Sequence, residues 1–251
     1  MITARVAKFE TLGMLDGPGV RMVVFLQGCI LRCAYCHNPA LLDFKGGTEY
    51  TPQQLLNKIL RYKNYFNHGG GVTVSGGEPL CHTEFLIEFF ALCKQQGIHT
   101  CLDTSGVGFG NFDKLLEYTD LVILDIKHTN QAQFEKLTLV AKQKTEAFHT
   151  ALIASKKDIW IRQVIVPDIT DSEEYLPSLL QEILKFEHIQ KIEFLPFHTM
   201  AESVYEELNM PYRLKGTMAM DNAQAMLLQE KFIKMYCQVR PSYCQNKTDS
   251  I

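Results

Sequence analysis

No uninterrupted apolar run in the 251 residues is long enough to cross a bilayer. The first ten residues carry Arg5, Lys8 and Glu10 and no apolar core, so no secretory leader is expected. Neither sign of charge dominates: 25 Lys and Arg stand against 28 Asp and Glu, a formal charge of −3. That balance offers no basic surface for nucleic acid and no acidic run for a disordered tail. Low-complexity stretches, long linkers and solenoid repeats are also missing. These absences lead to the expectation of a cytoplasmic protein without nucleic-acid or membrane partners. Cysteine is plentiful, with eight residues. A secreted disulfide scaffold is usually shorter and carries a leader, so metal or cluster binding is the better first reading.

With 46% hydrophobic and 21% charged residues the composition is that of a globular protein. The length suits one domain over 1–251, with a core over about 9–198 and a helical extension over about 199–251. Strand-like runs alternate with helical stripes. Strands are expected at 21–27 (RMVVFLQ), 72–75, 99–102, 121–124, 158–166 and 191–194. Thr51-Pro52-Gln53-Gln54 reads as a capping box with proline in the first turn, before Leu55, Leu56, Ile59 and Leu60. Phe85, Leu86, Phe89, Phe90 and Cys93 stripe a second helix that Gly97 stops. A short helix is expected over 112–118, then a helical region broken near Gln143. Asp171 and Glu174 can cap a helix bearing Leu176, Leu179, Leu180, Ile183 and Leu184, and a last helix lies near 222–236.

Six strands alternating with helices predict a parallel sheet, with short apolar runs that read as buried on both faces. Six are too few for a closed eight-stranded barrel. The expected fold is α/β, a partial, open (β/α)6 barrel, with a doubly wound sheet as the alternative. Polar residues gather just after the strands: the cysteine loop, Glu78, Asp103, Asp125, Lys127 and His198. In parallel α/β folds the C-terminal strand ends build the site.

The strongest local signal is Cys29-x3-Cys33-x2-Cys36, directly after the first expected strand. Thiolates suit iron–sulfur clusters and zinc. Structural zinc wants four ligands, and His37, the nearest fourth candidate, would have to fold back tightly against Cys36. Three buried cysteines without a ligand are the other alternative. Three thiolates on a four-iron cluster leave one iron free to bind another molecule.

These cysteines stand in a wider pattern of motifs. It includes Asp16-Gly17-Pro18-Gly19, Phe25-Leu26-Gln27-Gly28-Cys29 and Cys36-His37-Asn38-Pro39, followed by Ser75-Gly76-Gly77-Glu78 and Leu102-Asp103-Thr104. In this order the set resembles the glycyl-radical-enzyme activases of the radical S-adenosylmethionine superfamily, from about Phe9 to His198. Residues 38–75 contain no cysteine, so there is no second cluster group, which favours the pyruvate formate-lyase type. Pro79 and Ser105 depart from the residues common in that type.

The resemblance implies one 4Fe–4S cluster on Cys29, Cys33 and Cys36, whose free iron chelates S-adenosylmethionine. It implies an electron from flavodoxin or ferredoxin, and a 5′-deoxyadenosyl radical that takes hydrogen from a glycine Cα of pyruvate formate-lyase. A monomer is expected. The implied cofactor contacts are Tyr35, Cys36, His37, Gly77, Asp125, Ile126, Lys127 and His198. Asp103, Thr104, Asp125 and the carbonyl of Ile123 are implied ligands of a monovalent cation, Na+ or K+. A salt bridge from Lys127 is the competing use of those acids. Arg162, inside an expected strand, needs an anion, either the S-adenosylmethionine carboxylate or one of the acids. The Asp16 turn reads locally as a simple turn and, by resemblance, lies over the site. Cys81, Cys93, Cys101, Cys237 and Cys244 are expected to be free thiols or core residues. Two other readings stay open: a radical enzyme acting on a small molecule, and a zinc-binding interaction module.

Overall fold

The computed structural model describes residues 2–66 and 69–248. Eight strands form one sheet: β1 (Ala4–Gly13), β2 (Arg21–Leu26), β3 (Thr48–Tyr50), β4 (Gly71–Gly76), β5 (His99–Thr104), β6 (Leu121–Asp125), β7 (Asp158–Ile165) and β8 (Ile189–Pro196). Their order is β3-β1-β2-β4-β5-β6-β7-β8, and β3 and β8 remain unjoined edges. The run from β2 through β4 to β8 is parallel throughout. This is the open six-stranded parallel sheet that the alternation predicted. β1 and β3 add to it antiparallel and were not foreseen. β3 has only three residues, and β1 mixes Arg5, Lys8 and Glu10 into its alternation, so neither gives an apolar run.

The helices are α1 (Pro52–Leu60), α2 (Thr83–Gln95), α3 (Phe112–Glu117), α4 (Gln131–Thr138), α5 (Glu146–Ser155), α6 (Leu176–Ile183), α7 (Glu202–Glu207), α8 (Asn222–Val239) and α9 (Pro241–Thr248). The Thr51 capping box is present, and Gly97, at φ 65°, follows the end of α2. The expected break lies between α4 and α5, where Leu139 turns left-handed. Asp171 and Glu174 do not cap α6. The chain enters through a 3-10 turn (Glu173–Tyr175) after Ser172, and Leu176 opens the helix with proline in its first turn. No helix among the described residues is long and apolar enough to cross a membrane.

The strands are buried on both faces, as their apolar runs predict, but the two faces differ in chemistry. Met22, Val24, Leu26, Val72, Val74, Leu102, Val122, Leu124, Ile159 and Ile161 share the main core with the helices. Residues in alternate register face the other way. Cys101, Leu121, Ile123 and Trp160 form a small apolar cluster there, and Thr73, Asp103, Asp125, Arg162 and Glu193 add polar groups around it. Burial grades along it. Arg21, Thr73 and Cys101 at the N-terminal ends of the strands are fully buried, whereas Asp103, Asp125 and Glu193 at the C-terminal ends are only partly covered. This second face is therefore closed below and open above.

Arg21 forms the closure. Its guanidinium bonds Thr73 Oγ1 at 2.6 Å, the Val72 carbonyl at 2.7 Å and the Pro18 carbonyl at 3.0 Å. At the far edge, two side chains accept from strand amides of β8. Gln229 Oε1 takes Phe194 N–H at 2.6 Å, and Tyr243 Oη takes Ile192 N–H at 3.1 Å. Covering an edge in this way blunts it against unwanted pairing. Cys237 and Cys244, expected to be free, are joined as a disulfide between α8 and α9, with Cα atoms 5.9 Å apart. Cys81, Cys93 and Cys101 are buried free thiols.

His149 on α5 packs edge-on against Phe186, 5.4 Å between centroids, and its Nε2 is buried without a partner. Burial depresses its pKa to about 4, and attraction to Glu182 only partly offsets this. The unfolded chain takes up this proton near the ordinary value, roughly 6.5, well before the folded protein does. Stability attributable to His149 is thus intact above that value. As pH falls toward 4 it is lost at about 1.4 kcal/mol per unit. Urea titrations across this range are expected to show a shallower acid loss for His149→Phe than for the parent protein.

Candidate functional site

The cysteine loop leaves β2 at the open end of the sheet and is held by backbone bonds on three sides. Gly28 and Cys29 donate to Leu41 and Leu42 carbonyls at 2.8 and 3.3 Å. Glu78, just after β4, donates to the Gly28 carbonyl at 2.9 Å. Arg32 and Ala34 donate to the last carbonyls of α4, Thr138 at 2.7 Å and Leu137 at 2.8 Å. Arg213, far away in sequence, bonds the carbonyls of Arg32 and Leu137 and so pins loop to helix. No local sequence pattern pointed to that arginine.

Gly77 explains why the contact with β4 is close. A Cβ on Gly77 would lie 2.1 Å from the Gly28 carbonyl oxygen, and one on Gly76 would lie 2.5 Å from the Leu26 oxygen. Glu78 then ties this corner to β5. Its buried carboxylate accepts from Thr104 Oγ1 at 2.5 Å, Ser105 Oγ at 2.6 Å, and the amides of Ser105 and Leu80. Burial raises its pKa, and these donors act against the rise.

The three cysteines share a small apolar cluster with Leu31, Leu42, Val107, Phe134, Val140 and Met210, separate from the main core. Tyr205 on α7 is buried nearby, and that burial, helped by the Cys36 and Cys33 thiols, raises its pKa. Burial raises the pKa of all three thiols, that of Cys33 to about 11. Thiolates here need a positive group among them. No set of three His, Cys, Asp or Glu among the described residues converges on a point that could hold a single metal ion. A multi-iron cluster asks for three thiols around a volume, each on its own iron, and the cysteine-only donor set fits that group better than zinc.

Beside the thiols lies a partly unsatisfied polar set. Lys127 Nζ meets Asp125 Oδ2 at 2.6 Å and lies 5.4 Å from the Tyr35 ring centre. Burial opposes the ammonium charge, but Asp125, Tyr35 and Cys33 outweigh it and Lys127 stays protonated. Tyr35 Oη and Asp125 Oδ1 are buried without partners, and such groups are costly unless something else bonds them. On the other side of the loop His37 and His198 meet edge to face, 5.7 Å between centroids. The fold thus brings Tyr35, Asp125 and Lys127 together at the C-terminal strand ends and sets His37 against His198.

Other expected residues are placed differently. Ile126 turns its side chain into the main core. The Thr104 hydroxyl is spent on Glu78, on the opposite face from Asp103. Asp103 bonds Ser75 Oγ at 2.7 Å, and burial raises its pKa against the pull of Arg162. Arg162 serves acids of the chain itself: Asp16 at 3.2 Å, Glu193 at 3.1 Å and Asp103 at 3.8 Å. It also bonds the Leu15 carbonyl, so the Asp16 turn is fastened over the second face of the sheet. Thr73 Oγ1 adds a bond to the Asp16 carbonyl. Glu193 and Tyr205 went unnoticed in the sequence because neither sits in a motif.

Two outcomes test this account. Gly77→Ala forces the Gly28 carbonyl aside, and iron retained after anaerobic reconstitution is expected to fall well below that of the parent. Arg162→Met leaves Asp16 and Asp103 without their cation, while Glu193 keeps Lys191, and chemical unfolding is expected to show a loss of about 3 kcal/mol.

Comparisons with known proteins place the chain in a family. A family model described as a 4Fe-4S single cluster domain matches residues 15–146. The pyruvate formate-lyase-activating enzyme of Clostridium pasteurianum is 46% identical over 235 residues, covering 93% of this chain and 98% of that one. The pyruvate formate-lyase 1-activating enzyme of Escherichia coli K12 is 38% identical, covering 86% and 89%. Among solved structures, a domain of a pyruvate-formate lyase-activating enzyme from Bacteroides vulgatus superposes with a TM-score of 0.53 at 21% identity, over 68% of this chain and 94% of that one. SuiB of Streptococcus suis, bound to its precursor peptide SuiA, superposes with a TM-score of 0.63 at 17% identity, over 86% and 45%. The structural likenesses carry the fold, and the sequence likenesses, over nearly whole relatives, carry the rest: the chain belongs to the pyruvate formate-lyase-activating enzymes of the radical S-adenosylmethionine family.

Proposed function

We propose that this chain activates pyruvate formate-lyase, taking a hydrogen atom from a glycine Cα of that partner after reductive cleavage of S-adenosylmethionine. The observation that carries the reading is the one loop that presents Cys29, Cys33 and Cys36, with the unsatisfied Tyr35 and Asp125 beside it. A 4Fe–4S cluster, when bound, supplies the electron that splits the sulfonium and yields methionine and a 5′-deoxyadenosyl radical.

The chain's own residues bind, orient and exclude water. Cys29, Cys33 and Cys36 hold the cluster, and their apolar surround keeps water from it. Lys127 holds positive charge beside the thiolates. The free Asp125 oxygen is suited to an ammonium group or to a monovalent cation shared with Asp103 and the Ile123 carbonyl, with Thr104, whose hydroxyl bonds Glu78, able to add only its backbone carbonyl. Gly77 opens the corner to a close ligand, and the backbone at Tyr35, Cys36, Asp125, Ile126 and Lys127 lines it. His37 and His198 flank the adenosyl side. Flavodoxin or ferredoxin is the donor class, and a cytoplasmic monomer is the expected form.

The test uses anaerobically reconstituted protein with dithionite, S-adenosylmethionine and pyruvate formate-lyase. A brown chromophore, 5′-deoxyadenosine and a doublet glycyl-radical EPR signal are expected together. Cys29→Ala, Cys33→Ala and Cys36→Ala are each expected to abolish all three. Cleavage without the doublet would assign the chemistry to another substrate.

A further inference from the structure

β1 is ten residues long, yet its outer neighbour β3 pairs only with Ala4, Arg5 and Val6. Its inner side pairs with β2 at Lys8, Phe9, Glu10 and Gly13, with breaks in register between Val6 and Lys8 and between Glu10 and Gly13. Along residues 8–13 no described strand covers the outer edge. An uncovered edge presents a row of backbone donors and acceptors, a template for a further strand. The far edge of the same sheet is treated oppositely, with Gln229 and Tyr243 capping its amides.

Two further features mark the β1 edge as a surface for a partner. The strand is held on both faces: Lys8 lies over the Phe25 ring at 4.4 Å, while Phe9 packs edge-on to Tyr50 beneath Lys58 at 4.2 Å. A rigid edge loses little freedom on pairing. The chain that continues it is apolar and bare, with Leu12 59%, Met14 75% and Leu15 76% exposed. That stretch ends at Asp16, fastened by Arg162 and Thr73 over the second face of the sheet. Arg162 is in register with Asp125, so the Asp16 turn is tied through Arg162 to the strand end that carries Asp125.

We infer that the outer edge of β1, residues 8–13, receives an extended segment of the glycyl-radical enzyme as an added strand, with Leu12 and Met14 covering its apolar side chains. The inference rests on the proposed function, since its occupant is the protein substrate of that reading. Backbone pairing supplies the affinity and tolerates many sequences, and the apolar step fixes the register.

The experiment is hydrogen–deuterium exchange on the reconstituted holoenzyme, alone and with pyruvate formate-lyase. Amides within 8–13 are expected to gain protection only with the partner. In a second arm, Leu12→Asp/Met14→Asp is expected to raise the KM for pyruvate formate-lyase by about tenfold, the equivalent of roughly 1.4 kcal/mol. Its partner-free cleavage of S-adenosylmethionine is expected to stay unchanged. Unaltered exchange at 8–13 while the glycyl radical forms would overturn the inference and leave the functional reading standing. Protection that rises with enzyme concentration alone would overturn it in favour of pairing between copies. Absence of any glycyl radical with the parent enzyme would sink the functional reading and the inference together. Should the double variant fail to fold, the exchange measurement on the parent protein decides.

Discussion

The amide of Glu78 donates to the carbonyl of Gly28, and there the cysteine loop and the exit of β4 touch backbone to backbone. The contact is possible only because Gly77 has no side chain. From that point the position of each thiol follows. The loop cannot shift without breaking its bonds to Leu41 and Leu42 on one side and to the end of α4 on the other. Glu78 carries the constraint onward through its carboxylate to Thr104 and Ser105, so two strand ends and the loop move as one body. Precise placement of a reactive cofactor needs such rigid support, because small displacements are costly to rate.

Two buried arginines divide the remaining labour. Arg21 lies at the closed end, bonded to carbonyls and to Thr73, and burial lowers its pKa. Its fork draws β2, β4 and β5 together where no carboxylate is in direct contact. Arg162 lies at the open end among Asp16, Asp103 and Glu193. Burial disfavours its charge, but three acids more than compensate and it stays protonated. Removing either partner of such a pair leaves a charge stranded in a poor solvent. The same arginine that steadies β7 and β8 therefore also keeps the N-terminal turn over the second face of the sheet.

The sheet's two edges show different solutions to one problem. At β8 a helical extension supplies side-chain acceptors and buries the strand. At β1 a three-residue strand covers the beginning and leaves the rest. One edge is finished by the chain itself, and the other is left without a described strand along residues 8–13.

The cofactor class was legible in the sequence because its chemistry is local. Cys29, Cys33 and Cys36 lie within eight residues, and the glycines and acids after each strand recur at strand ends whatever the rest of the chain does. The six parallel strands and the capped α1 were legible for the same reason, since apolar runs and capping residues act over a few positions. What only the tertiary structure decided acts across long separations. Arg213 reaches Arg32 over 181 residues and Arg162 reaches Asp16 over 146. The partner of a buried charge, the direction a strand residue faces and the edge left uncovered depend on which segments meet. Register settles those points, and no single run of residues contains it.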